Sequence, residues 1–91
     1  MKKVTYTNGF SVEYDDTLSV GDLVILDKRN DGFFEFFGYD YQESGYVRVF
    51  VKLKFLFDGS KPSVPVYHLG VQSVPASTCH KADKKISELI D

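Results

Sequence analysis

Residue types able to ligate a metal or attack a carbonyl gather late in the chain, where Cys79, His80 and Asp83 lie close together and His68 precedes them. Zinc takes about four converging thiolate, imidazole or carboxylate ligands. On a helix, neighbouring Cys79 and His80 point about 100° apart, so the set does not converge and no metal is assigned. A Cys79 nucleophile served by His68 or His80 needs an oxyanion donor and a pocket, which nothing in the sequence signals. Cys79 reads instead as a small buried hydrophobe. Glu13, Asp15 and Asp16 are close enough for paired-carboxylate chemistry, but they sit in a turn-like stretch where all three stay solvated. A glycine-rich phosphate loop, a G-x-S-x-G elbow and an H-E-x-x-H pair are all missing from the sequence. The expectation is a non-enzymatic protein with no cofactor.

Two sets of residues suit binding better than catalysis. Between Tyr46 and Phe57 the odd positions Val47, Val49, Val51, Leu53, Phe55 and Phe57 are apolar, while Arg48, Lys52 and Lys54 occupy even ones beside Tyr46 and Phe50. That period of two describes a strand with one buried and one wet face. Rings among cations are the equipment of single-stranded nucleic-acid binding, where each stacked base contributes about 1 to 3 kcal/mol. Tyr46, Arg48, Phe50, Lys52 and Lys54 form that candidate set. The second set is Phe33, Phe34 and Phe36 with Tyr39, Asp40, Tyr41 and Glu43, read as a protein-binding or self-association surface. Four phenylalanines surround Glu35 between positions 33 and 37, more than a one-sided strand accommodates. Loop tyrosines supply contact area and a hydroxyl at low entropic cost, and Asp40 and Glu43 supply charge at the rim.

These residues must be held by short strands. Asn8-Gly9 between residues 4–7 and 10–14 predicts a tight two-residue hairpin, in which Val4 and Tyr6 share a face, as do Phe10, Val12 and Tyr14. Gly21-Asp22 turns the chain into Leu23-Val24-Ile25-Leu26, an aliphatic run suited to an interior strand. Asn30-Asp31-Gly32 makes the next turn, and residues 38–45 read as a polar loop. After the long strand, residues 64–69 read as a strand continued by Val71 and Val74 and stopped by Pro75. Cys79, Ala82, Ile86, Leu89 and Ile90 then recur at spacings of three and four, which predicts a helix over 78–90 capped by Ser77 or Thr78. The fold class is mainly β: a small, strongly bent antiparallel sheet or SH3-like partial barrel of five to six strands over 3–74, with one C-terminal helix.

The chain has 91 residues, enough for one domain with a thin stability margin. Fourteen are Phe or Tyr, and each ring buries about 150 to 250 Å². No apolar run is long enough for a signal peptide or membrane span, and the single cysteine agrees with a reducing compartment. A cytoplasmic location is expected. Net charge is −2, split into −5 over residues 1–45 and +3 over residues 46–91. Such a split bears on partner choice only where the fold separates the two halves.

Leu18-Ser19-Val20-Gly21-Asp22-Leu23-Val24-Ile25-Leu26 resembles the x-V-G-D-x-V opening of SH3-like barrels, including the KOW and Tudor-like kind. The run from Gly9-Phe10 to Leu26 is also similar to that of small uncharacterised proteins of tailed bacteriophages. The resemblance implies a small barrel acting as an interaction module, and a phage accessory or host-modulating role in the host cytoplasm. The chain lacks the basic, glycine-centred loop of the KOW pattern, since Asp27-Lys28-Arg29-Asn30-Asp31 is charge-balanced.

Overall fold

The computed structural model describes residues 1–27, 32–58, 60–61 and 70–82. The first hairpin pairs β1 (Lys2–Thr5) with β2 (Ser11–Tyr14), placing Val4 opposite Val12. Its connection is longer than the expected two residues. The Tyr6 N–H donates to the Phe10 carbonyl at 2.7 Å and the Gly9 N–H donates to the Tyr6 carbonyl at 3.0 Å, which is the three-residue loop with a glycine bulge. Phe10 lies beyond the start of β2, and its ring is exposed. Tyr14, by contrast, is buried.

The segment 15–22 then turns into β3 (Leu23–Leu26) through Val20-Gly21. The Asp22 N–H donates to the Ser19 carbonyl at 2.9 Å, and the Ser19 N–H donates to the Asp22 carboxylate at 2.9 Å. Gly21, with φ +97°, takes the third turn position, where a side chain would be strained. The local signal Val-Gly-Asp thus does a definable job: it closes a turn and aims four aliphatic residues into the sheet.

That sheet contains β3, β4 (Gly32–Tyr41), β5 (Val47–Leu56), β6 (Gln72–Pro75) and β7 (Cys79–Lys81) in the order β6-β5-β4-β3-β7, with every pair antiparallel. The mainly β, antiparallel expectation holds, as an open sheet and not a closed barrel. The aliphatic run forms an interior strand, between β4 and β7.

Two further expectations are corrected. Residues 38–45 are not a loop: β4 extends through Tyr41 and the turn is confined to Gln42–Tyr46. It repeats the geometry of the first hairpin, with the Gln42 N–H on the Tyr46 carbonyl and the Gly45 N–H on the Gln42 carbonyl. The start of the expected helix is also different. A 3-10 turn over Ala76–Thr78 leads into β7, where Cys79 pairs with Leu26 and His80 with Ile25. Cys79 is buried and His80 is partly exposed, a period-two pattern that satisfies backbone groups on β3 while keeping the thiol in the core. The rest of that helix, from 83 onward, and the strand expected over 64–69 lie outside the described residues.

The core lies on one face of the sheet. Val24, Leu26, Phe34, Phe36, Val47, Val49, Val51 and Cys79 project into it, joined by Tyr14, Leu18 and Ala76. Along β5 the expected alternation is intact: Val47, Val49 and Val51 are buried, whereas Phe50 and Lys52 are exposed. β4 and β5 lie out of simple register at two places, between Phe33 and Phe34 and between Phe36 and Gly38. Gly32 opens β4 with φ +149°, and a Cβ there would lie 2.1 Å from the Phe55 carbonyl oxygen. Only glycine fits this crossing of two backbones.

Candidate protein-binding face

The second register shift shapes the surface. Phe36 pairs with Val51 and Gly38 with Phe50, so Phe37 is an extra residue on β4. Such a bulge leaves one residue unpaired and increases local twist. Phe34 and Phe36 are turned inward at 0% and 1% exposure, while Phe37 is 38% exposed. Phe37 therefore faces outward after the inward pair, and the insertion keeps Gly38 outward beside it and turns Tyr39 back to the core.

Phe37 precedes Gly38, and Gly38 stands opposite Phe50, which is 37% exposed. A Cβ on Gly38 would meet nothing within 4 Å, so open space adjoins the Phe50 ring. The same outer face carries Glu35 opposite Lys52 and Asp40 opposite Arg48. An acidic row on β4 thus runs beside a basic row on β5, with aromatic area between their ends.

The residues expected to bind protein divide between core and surface. Phe34 and Phe36 belong to the core and offer no area to a partner. Tyr39 is also inward: its hydroxyl donates to the Asp15 carbonyl and accepts from the Leu18 N–H at 3.2 Å. Burial pushes the phenol up to about 12. Its ring meets Phe36 edge-on at 4.9 Å and Tyr14 at 5.8 Å, so it anchors the 15–18 loop to the sheet. Tyr41 stacks on Tyr39 at 5.7 Å and remains 65% exposed. Glu43 is exposed in the turn, Asp40 is half-buried, and Phe33 is half-buried with its ring edge-on to Phe57 at 5.2 Å. Surface area is thus left to Phe33, Asp40, Tyr41 and Glu43. Of these, Asp40 shares the outer face with Phe37, Gly38 and Phe50, whereas Tyr41 lies on the side of Tyr39. The bulge that joins them was not visible as a motif, although the glycine after a run of phenylalanines was its one trace.

The cation-aromatic set lies on β5 as the alternation requires, but two of its cations are engaged. Arg48 donates from Nε to the Ser73 hydroxyl at 2.6 Å and from Nη2 to the Ser73 carbonyl at 2.7 Å, and its guanidinium lies 5.6 Å from the Tyr46 ring centroid. Lys54 pairs with Glu35 at 3.0 Å. Tyr46 itself packs on Tyr6 at 5.3 Å. Lys52 and Phe50 are the exposed members whose side chains make no hydrogen bond, ion pair or ring contact among the described residues.

Of the other chemical candidates, Asp15 accepts from the Thr17 N–H at 2.9 Å and from its hydroxyl, and these hydrogen bonds hold its carboxyl below the usual range. This is the reverse of what a general acid needs. Burial pushes the Cys79 thiol up to about 12, which suppresses the thiolate a nucleophile requires. His80 contacts Asp27 at 2.9 Å, away from the thiol's core position. His68 and Asp83 lie outside the described residues. Among the described residues no group of three or more His, Cys, Asp or Glu side chains is placed to hold a metal, and no helix is long and apolar enough to cross a membrane. No protein-family model matches the chain, and the searches of curated proteins and of solved structures return no match either.

Proposed function

We propose that this protein is a non-enzymatic protein-interaction module whose contact surface is the outer face of β4 and β5, centred on Phe37 and Phe50. The observation that carries the reading is the pair of exposed rings on adjacent strands beside the open space at Gly38. Solvent-facing aromatics with a polar surround are the usual composition of interface centres. The Val-Gly-Asp turn into β3 supports placing the chain beside SH3-like interaction modules. Its likeness to tailed-phage proteins supports an accessory or host-modulating role in the host cytoplasm.

A photo-crosslinking side chain placed at Phe50, and separately at Lys2 on the far hairpin, tests the face in cell lysate. Covalent protein adducts from position 50 and none from position 2 are expected. Equal yields from both positions, or none from either, would remove the face as a specific binding site. Single-stranded nucleic acid is the lesser reading, because Arg48 and Lys54 are already engaged. Titrating an oligonucleotide at low salt and following tyrosine emission is expected to give no salt-sensitive quenching; quenching abolished by Lys52→Glu would reverse the order of the two readings.

A further inference from the structure

The outer face carries a pattern that is complementary to itself. Three consecutive outward pairs cross β4 and β5: Glu35 with Lys52, Gly38 with Phe50, and Asp40 with Arg48. In every pair the members are opposites, acid against base or no side chain against a large ring. We infer that the partner seated on this face is a second copy of the same chain, related by a twofold axis that runs parallel to the strands between β4 and β5.

The choice of axis follows from the charges. A twofold axis parallel to the strands lays β5 of each copy over β4 of the other at the same height along the strand. Each within-chain pair then becomes a pair between chains. Lys52, which has no ion pair among the described residues, meets Glu35 of the other copy, which also holds Lys54. Asp40 approaches the positive charge of Arg48, whose guanidinium stays on Ser73, and each Phe50 ring enters the open space over the opposite Gly38. An axis perpendicular to the strands lays β5 on β5 and β4 on β4. It sets Lys52 against Arg48, Glu35 against Asp40 and ring against ring, and like charges brought together across an interface are destabilising. Isologous contacts need a surface that is its own complement. The first axis provides this and the second does not.

The expected affinity is modest. Two ten-residue strands cover about 33 by 10 Å, roughly 330 Å² on each copy. Stable complexes use about 800 Å² per partner, so the dimer forms by mass action at high protein concentration. This inference rests on the outer face being a protein-binding surface, and it adds the identity of the occupant.

Light scattering on the purified chain from about 10 μM to 1 mM, the range set by so small a footprint, tests it. The apparent mass is expected to rise from 10.3 kDa toward twice that value. Lys52→Glu alone and Glu35→Lys alone, each checked for folding by circular dichroism, are expected to stay monomeric. Mixed in equal amounts they are expected to dimerise, because the reversed side chain at 52 of one meets the reversed side chain at 35 of the other. If Glu35→Lys fails to fold after losing its contact with Lys54, Phe50→Ala replaces it and is expected to abolish the dimer. A wild type that stays monomeric throughout, a mixture that stays monomeric, or a Phe50→Ala dimer as strong as wild type would each overturn the inference. Adducts from position 50 to a different protein, combined with a monomeric wild type, would leave the interaction face standing and remove the second copy.

Discussion

The Tyr39 hydroxyl reaches from β4 to hold the backbone of the 15–18 loop at two points, the Asp15 carbonyl and the Leu18 N–H. Tyr39→Phe keeps the ring contacts and removes both bonds, so it is expected to destabilise the protein by about 1 to 2 kcal/mol in a urea titration. Burial raises the folded-state pKa of this phenol from 10 to about 12 and that of the Cys79 thiol from 9 to about 12. Both groups prefer the protonated form in the native state. Their contribution to stability is therefore complete below about pH 9 and is lost progressively as pH rises toward 12. Urea midpoints measured across pH 8 to 11 are expected to fall, with a shallower fall for Cys79→Ala; a flat profile would contradict the burial of both groups. Tyr39 was legible as a chemically useful ring, but its inward orientation was not. Orientation follows from the bulge before it, and a bulge leaves almost no mark on local composition.

At the scale of the element, β4 is where inward and outward rings are sorted. Phe36→Ala should cost about 3 to 5 kcal/mol, as expected for a large core ring, whereas Phe37→Ala should change stability by less than about 0.5 kcal/mol. Denaturation of the two variants side by side measures which ring is inward, and equal losses would mean that the facing is wrong. Glycines in the sheet differ in the same way. Gly32→Ala drives a methyl into the Phe55 carbonyl and the Leu56 Cα, and is expected to cost about 3 kcal/mol or more. Gly21→Ala meets only the torsional penalty, about 1 to 2 kcal/mol. β5 was readable because ten alternating residues overwhelm local ambiguity. β7 was not, since three residues fit either a strand or the first turn of a helix, and the vacant pairing edge of β3 decided between them. Asn8-Gly9 suited two loop lengths for a similar reason.

At the scale of the whole molecule, the described residues do not gather acids and bases on separate strands far apart. Glu35 and Asp40 on β4 lie beside Arg48, Lys52 and Lys54 on β5, so acids of the first half and bases of the second adjoin on the large sheet. The long-range field of such an arrangement is weak, and a polyanion has little to be drawn by. What remains is a short-range pattern of alternating sign, suited to a partner with the matching arrangement at close approach.

Phe37 has one further consequence, for the gene and not only for the fold. Phe36 and Gly38 already face Val51 and Phe50, two successive residues of β5, so loss of the intervening codon would leave a regular ladder with every downstream pairing unchanged. Most single-codon deletions inside a strand reverse the facing of all that follows. Here one ring can be gained or lost across generations while the hydrophobic interior stays as it is, and the purified deletion product is expected to remain folded within about 1 kcal/mol of its parent.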